Sequence, residues 1–529
     1  MAKIAVYGWG LVAPGVANIN EFSRKLDEGG SWLQPFNGFG PDSFLVGQPS
    51  FDLADYEPWL AARFPKSKAR QLRDKMDDTT LFAIGSFIQA LGQNAGLEKA
   101  LQAVGPKAHV YVGNALGAYP TLYQTSVDLY RAQRRWNRFW CAPERNQPLV
   151  DHRCGKNLNQ EAPLDPATLS EPDAREEAED AWFSFWAERS PKLAEYLEEV
   201  RRIESPAVEG DVAKGKMKLM RDKRRQLASL QENWGTPDVP WSQVSANVLW
   251  NIPNTPASQI SMLGKITGLS MAPIAACSTF GIALKLGMDA IERGEAKLAV
   301  IGAADPAPHP LTVGAFYSAR VLSADGDTSK PLTGLKGTHV AGGGCVWIIG
   351  DKSFGDELGL RPIGLQPLCV GTSSDADHII TPSEAGPREA MRQSLARAKV
   401  DVERIRSWDL HATATPGDFQ ELSNLQSVVG TTTVVTARKG TFGHGMGVGG
   451  GWELTAQYMG VARGKLHRTS LSESELNPLL KEMGQTLVLD ENVSLEPGPV
   501  GKLSMGVGGI NACVVSRPWG DDEENGSGR

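Results

Sequence analysis

"APIAACSTFGIALKLGMDAIERGEAKLAVIGAADP", residues 272–306, runs from an apolar segment through one cysteine into an amphipathic pattern and out into a second apolar run. Ile282, Leu286, Met288 and Ile291 recur at helical spacing and predict a helix with one buried face, while "KLAVIGAAD" after it reads as a strand. Cys277 then sits on the turn that opens the helix. Several backbone N–H groups at a helix start lack intrahelical partners and the macrodipole is positive there, which favours a thiolate. Cys345, Cys369 and Cys513 lie in apolar strand contexts and are read as inert small hydrophobes.

The same alternation extends outward in both directions. Upstream stand "KIAVYGWG", the helical "TTLFAIGSFIQALGQNAG" and "AHVYVGNALG". Downstream come "RPIGLQPLCVG", the helical "GPREAMRQSLARAKV", "SWDLHATAT", "TTTVVTARKG", the helical "GGWELTAQYMGVARG" and "GKLSMGVGGINACVVSRP". Strands alternating with helices predict an α/β fold with buried sheets. Two similar halves are expected, residues 1–315 with the nucleophile and residues 316–518 with both candidate histidines, followed by a disordered tail at 519–529. Residues 131–245, rich in Arg, Glu, Lys and Trp, break the pattern and read as a charged helical insertion. Trp182, Phe183, Phe185 and Trp186 are expected to pack that insertion onto the main body. Cys141, His152 and Cys154 offer no fourth ligand and no usual spacing, so no metal site is assigned.

Composition narrows the function. A chain of 529 residues with 41% hydrophobic content buries a large core, and a net charge of -7 argues against a dedicated nucleic-acid partner. Six scattered cysteines form neither a disulfide framework nor a CxxC pair, which favours a reducing, cytoplasmic setting. "MAKIAVYGWGLVAPG" reads as a first strand rather than a signal peptide, and no run of about 18 apolar residues predicts a membrane span. No Walker A sequence is present, and "GVGGIN" at 506–511 lacks the dinucleotide spacing.

His411 closes the strand "SWDL" and opens "HATATPGDFQEL", and His444 lies between glycines in "ARKGTFGHGMGVGGGWEL". Groups at the carboxyl ends of strands in an open α/β sheet converge on one crevice, so Cys277, His411 and His444 are expected to meet, joined by Lys439 five residues before His444.

These residues resemble the β-ketoacyl synthase family, the elongating condensing enzymes of fatty acid and polyketide assembly. "VYGWGLVAPGVANINEF" is similar to the family's opening strand, "DKMDDTTLFAIGSFIQAL" to its first long helix and "AACSTF" to its nucleophile turn. "GTSSDADHIITPSEAGPREAM", "HATATPGDFQE", "KGTFGHGMGVGG" and "SMGVGGINA" follow its later motifs in order. The resemblance implies a thiolase-like five-layer αβαβα fold and a homodimer or a dimer with a related ketosynthase subunit. It implies a fatty acid or polyketide acyltransferase with no cofactor of its own, its substrates carried on the phosphopantetheine of an acyl carrier protein. Cys277 would take the acyl group, His411 and His444 would stabilise the enolate left by decarboxylation of a malonyl thioester, and Lys439 would keep them neutral. The N–H groups of Cys277 and Val507 would form an oxyanion hole, and Asp418 and Glu421 would organise the lysine and the local loops. Lys68, Arg70, Arg73 and Lys75 in "KSKARQLRDKM" would dock the acidic carrier. The insertion is expected to cap the acyl tunnel or recruit a partner.

Several positions depart from the family pattern. Ala412 replaces a glycine, "AGGGC" at 341–345 and "LKGT" at 335–338 replace two further motifs, and Asp418 and Glu421 stand one residue closer to their histidine. Val507 replaces a phenylalanine that gates the acyl pocket, which implies a tolerant gate. These departures keep two alternatives open, an acyltransferase that uses a non-malonyl acceptor and a non-catalytic partner subunit.

Overall fold

The computed structural model describes residues 2–40, 44–207, 212–379 and 381–520, with the backbone alone for 212–215. Its longer strands are almost wholly buried, because helices cover both sheet faces, and they therefore show near-continuous apolar runs instead of polar alternation. Strands β1 (Ile4–Val12), β2 (Ala108–Gly113), β3 (Ser270–Met271), β4 (Leu298–Asp305) and β5 (Gly343–Asp351) form one sheet in the order β1-β5-β4-β2-β3. Strands β6 (Gln366–Ser374), β7 (Ser407–Asp409), β8 (Val434–Thr436), β9 (Val500–Gly506) and β10 (Ile510–Arg517) form a second in the order β6-β10-β9-β7-β8. Strand β5 is antiparallel to β1 and β4, and β2 is parallel to β4 and β3. The second sheet repeats this: β10 is antiparallel to β6 and β9, and β7 is parallel to β9 and β8.

Six helices complete the duplication. Helices α1 (Asp78–Leu91), α2 (Thr255–Gly264) and α3 (Thr279–Glu292) follow β1, β2 and β3. Helices α4 (Ala385–Ala398), α5 (Gly417–Val429) and α6 (Gly449–Val461) follow β6, β7 and β8 in the same way. Helices α1 and α2 cover the outer face of the first sheet and α4 that of the second, with α5 packed beside α4, while α3 and α6 touch each other between the sheets. The result is the αβαβα succession that the resemblance implied. Phe280, Leu284, Trp347, Trp452 and Tyr458 belong to the apolar core between the sheets, and separate cores lie under the outer helices.

Strand membership moves the junction between the halves. Because β5 returns antiparallel between β1 and β4, the first half runs to Asp351, not to residue 315. The shortness of β7 is a second difference: "SWDLHATAT" is strand only over Ser407–Asp409, and its remainder leaves the sheet as a loop.

The segment between β2 and α2 forms its own compact unit, Thr121–Val248, somewhat longer at both ends than the insertion read as 131–245. Trp182 and Trp186, read from the sequence as an apolar helix face, are buried. They join Trp136, Trp140 and Tyr196 in a core of the unit itself, with Trp182 and Trp186 ring centroids 5.7 Å apart. Cys141 donates its thiol hydrogen to the Phe183 carbonyl, and His152 Nδ1 accepts from the Asn159 N–H. The expected disordered tail lies, beyond Gly520, outside the described residues.

One glycine governs how closely β2 approaches the nucleophile turn. A Cβ on Gly113 would stand 1.8 Å from the Pro273 carbonyl oxygen, four residues before Cys277. Gly113→Ala is expected to lower the unfolding free energy by roughly 1–3 kcal/mol, as overpacking does, and to slow alkylation of Cys277. Urea denaturation and thiol-labelling rates check this; an unchanged midpoint together with an unchanged rate contradicts the close approach.

Candidate active site

The nucleophile turn is built from local hydrogen bonds. The Ala275 N–H donates to Thr279 Oγ1 at 3.0 Å, and that hydroxyl donates to the Ala276 carbonyl at 2.7 Å. Ala276 adopts φ +46°, a left-handed conformation unfavourable for a residue with a Cβ, and it turns Cys277 toward the cavity in a single-turn 3-10 helix that runs into α3. The Cys277 and Val507 N–H groups both reach the cysteine sulfur. Gly506, before Val507, permits this: a Cβ there would lie 2.8 Å from the Ala275 carbonyl. Cys277, His411 and His444 present sulfur and ring nitrogens within 4.8 Å of one another, and the two imidazoles meet edge to face with centroids 5.3 Å apart. All three line a cavity of about 330 Å³ whose mouth includes Val507, its side chain half exposed.

Each histidine is held through its backbone. Glu421 accepts the N–H groups of His411 and Ala412 at 2.6 and 2.7 Å, fixing the loop that leaves β7. Asp418 accepts from Thr413, Ala414 and Leu332 at 2.8, 3.1 and 2.9 Å. The His444 N–H donates to the His339 carbonyl at 2.7 Å, and Asp305 at the end of β4 accepts from Gly447 at 2.8 Å. Lys439 Nζ donates to the His411 carbonyl and forms a 2.7 Å ion pair with Glu453 of α6. The lysine is thus organised by Glu453, whereas Asp418 and Glu421 organise the loops alone, which corrects the role assigned to them from the sequence.

The electrostatics differ from the expected thiolate. Burial pushes the Cys277 thiol up to about 11, and the Lys439 ammonium and the two N–H groups only partly offset it. The turn that aims the sulfur also removes it from water, and a helix start does not compensate for that loss. Burial holds both imidazoles well below their ordinary value, with Lys439 adding like-charge repulsion. Burial raises Asp418 to about 6 and Glu421 and Asp305 to about 7, against the pull of the N–H groups they accept. Among the described residues, this is the one set of His, Cys or carboxylate donors close enough to meet a single ion. Two N–H groups aimed at the sulfur suit a developing oxyanion and have no use in cation binding, so the set is read as a reaction centre.

The expected carrier residues lie on the helix Ser67–Lys75, outside the cavity lining. Arg70 is exposed, Arg73 pairs with Glu57 at 2.6 Å, Lys75 Nζ stands 5.3 Å from the Trp250 ring, and Lys68 is half-buried beside Phe64. Sequence reasoning assigned no role to Glu453, Asp305, Asp409, Arg438 or Lys502. Their signal was a charged residue inside an otherwise apolar element, as in "GGWELTAQ", "VIGAAD" and "VGKLSMG".

A neutral Cys277 thiol makes its alkylation pH-dependent. With exposed Cys154 replaced by Ser, the rate of iodoacetamide labelling at Cys277 is expected to rise about tenfold per pH unit from 7 to 10, since only the thiolate attacks. A plateau reached by pH 8 contradicts it.

Comparison with known proteins follows this geometry. Residues 220–351 match the family model described as "Beta-ketoacyl synthase, N-terminal domain", and residues 368–472 match "Beta-ketoacyl synthase, C-terminal domain". The "3-oxoacyl-[acyl-carrier-protein] synthase homolog" of Saccharomyces cerevisiae is 24% identical over 277 residues, 50% of this chain and 62% of that protein. This chain spans a little over half the length of the curated relatives it matches. The solved structure titled "The ishigamide ketosynthase/chain length factor" superimposes with a TM-score of 0.67 at 17% identity, covering 98% of this chain and 100% of the other. A type II PKS acyl-carrier protein in complex with its ketosynthase gives a TM-score of 0.63 at 15% identity, covering 98% and 99%. Residues 220–351 and 368–472, which carry Cys277, His411 and His444, are thus those of the β-ketoacyl synthase family, set in a thiolase-like fold.

Proposed function

We propose that this protein is a condensing acyltransferase that joins an acyl group held on Cys277 to a unit delivered as a malonyl thioester. One observation carries the reading: a buried thiol, reached by two backbone N–H groups, faces two uncharged imidazoles in one cavity. In the first step an imidazole takes the thiol proton, the sulfur attacks the acyl thioester carbonyl, and the carrier thiol leaves with a proton. The Cys277 and Val507 N–H groups hold the oxyanion of the tetrahedral intermediate. In the second step the malonyl carboxylate leaves as CO2, and its electron pair becomes an enolate whose oxygen accepts N–H bonds from His411 and His444. The enolate carbon then attacks the acyl-Cys277 carbonyl, giving a β-ketoacyl thioester and returning the cysteine sulfur, which regains a proton. Neutral imidazoles suit both steps, since they accept a proton in the first and donate a hydrogen bond without acting as acids in the second.

The reading extends to partners. An acidic acyl carrier protein presents the substrates on its phosphopantetheine, and Arg70 with its basic neighbours Lys68, Arg73 and Lys75 offers it a surface of opposite sign. A second copy or a related subunit covers the outer edge of β3, the last strand of its sheet, where Leu269, Met271 and Ile274 are exposed. Six free cysteines fit a reducing, cytoplasmic setting, and among the described residues no helix is long and apolar enough to cross a membrane. The protein itself contributes no cofactor to the proposed reaction.

Intact-mass analysis with a panel of acyl carrier thioesters, followed by labelled malonyl carrier, tests the proposal. An acyl adduct is expected on wild type and none on Cys277→Ala. His411→Ala and His444→Ala are expected to retain acylation and to lose about 10²–10³-fold in CO2 release, the size of a lost oxyanion donor. Val507→Phe is expected to narrow the range of acyl groups accepted. Adduct formation without CO2 release favours transfer to a non-malonyl acceptor, and no adduct at all contradicts the catalytic reading.

A further inference from the structure

Lys502 is a lone cation in the apolar strand β9 and is 1% exposed. Its ammonium donates to the carbonyls of Leu410 at 3.3 Å and Leu503 at 2.6 Å, and it forms a 2.8 Å ion pair with Glu453 Oε2. Leu410 directly precedes His411, Leu503 lies on the strand that ends at Gly506 before Val507, and Glu453 holds Lys439 from its other oxygen. Asp409 Oδ1 stands 3.7 Å from the same ammonium, while Oδ2 pairs with Arg438 at 2.9 Å. The buried cluster therefore sets three cations, Lys439, Lys502 and Arg438, against two carboxylates, Glu453 and Asp409.

Glu453 already has Lys439 as a partner. A second buried ammonium on the same carboxylate is costly to desolvate, and Glu421 adds a third carboxylate to those that act on Lys502. We propose that Lys502 is a positioning residue: it ties the backbone before His411, the strand feeding the Val507 loop and the Glu453 carboxylate into one unit, and its ammonium adds to the positive charge behind both imidazoles. Lys502 adds to the repulsion that both rings feel, behind burial and Lys439 for His444 and behind burial, Lys439 and His444 for His411. Cys277, Asp375, His378, Asp418 and Glu421 line the same cavity as the rings, while Asp305 on β4 accepts from Gly447, Glu453 on α6 pairs with Lys439, and Asp409 on β7 pairs with Arg438. Removing one cation from this set eases ring protonation, and a protonated ring cannot accept the Cys277 proton.

The catalytic consequence rests on the condensation reading, but the test does not. The full chain carrying ¹³C-labelled histidine is titrated by NMR as wild type, Lys502→Gln, which keeps a hydrogen-bond donor, and Lys502→Arg, which keeps the charge. Both rings are expected to titrate well below the ordinary imidazole value in wild type, to move up in Lys502→Gln and to stay near wild type in Lys502→Arg. The acid limb of CO2 release is expected to move up by the same amount. Unmoved rings in a folded Lys502→Gln overturn the proposal, and so does a wild-type ring titrating at or above the ordinary imidazole value, whether or not the variant folds. Absence of CO2 release from the wild type, with the ring shifts intact, overturns the condensation reading alone.

Discussion

The reaction centre depends on one buried hydroxyl. Ser278, fully buried beside the nucleophile, places its Oγ 2.7 Å from the Ile510 carbonyl and 3.0 Å from the Ser504 carbonyl. Its single hydrogen is shared between two strands of the second sheet, so the turn that carries Cys277 from the first half is pinned to the loop that carries Val507 in the second. The left-handed Ala276 and the bare Gly506 are the backbone terms of the same constraint. Without that tie the two N–H groups have no common target, and an oxyanion hole made of donors from distant segments would lose the preorganisation on which its strength depends.

Duplication explains why the remaining groups arrive at the same place. Cys277 stands just ahead of α3 and His444 just ahead of α6, the corresponding helices of the two halves, which touch in the central layer. Asp305, at the end of β4, accepts the Gly447 N–H and so joins the first half to the second histidine loop. The chemistry is asymmetric although the fold is not. One half supplies a sulfur and the other two imidazoles, and a thiol and a ring at corresponding helix starts can face each other across the junction.

Much of this was legible in the residues. Apolar runs alternating with helical patterns carried the α/β class, and the glycine-flanked His444 and the strand-end His411 marked the positions that converge. The boundary between halves was not legible, because "GGCVWIIGD" looks the same whether it opens a second half or closes the first, and only its pairing with β1 decides. The aromatic pattern of the insertion showed a buried face without showing what it is buried against. Thiol ionisation was misread for a physical reason: a helix start is visible in sequence, whereas desolvation belongs to the assembled cavity. Glu453 and Lys502 escaped notice because a charge in an apolar element has no local partner. Their charged partners lie 14 residues away for Glu453 with Lys439, and on α6 and β7 for Lys502.

The reacting groups therefore hold no net charge before substrate binds and are surrounded by donors already aimed at charge that develops later. A crystal structure of the protein alkylated on Cys277 with iodoacetamide tests this most directly, since the carboxamide oxygen stands in for the thioester oxygen. The account predicts that oxygen within about 3.1 Å of the Cys277 and Val507 N–H groups or of both imidazole nitrogens. A carboxamide turned away from all four donors, or a ring displaced beyond contact with it, would contradict the claim that these groups act on one bound molecule.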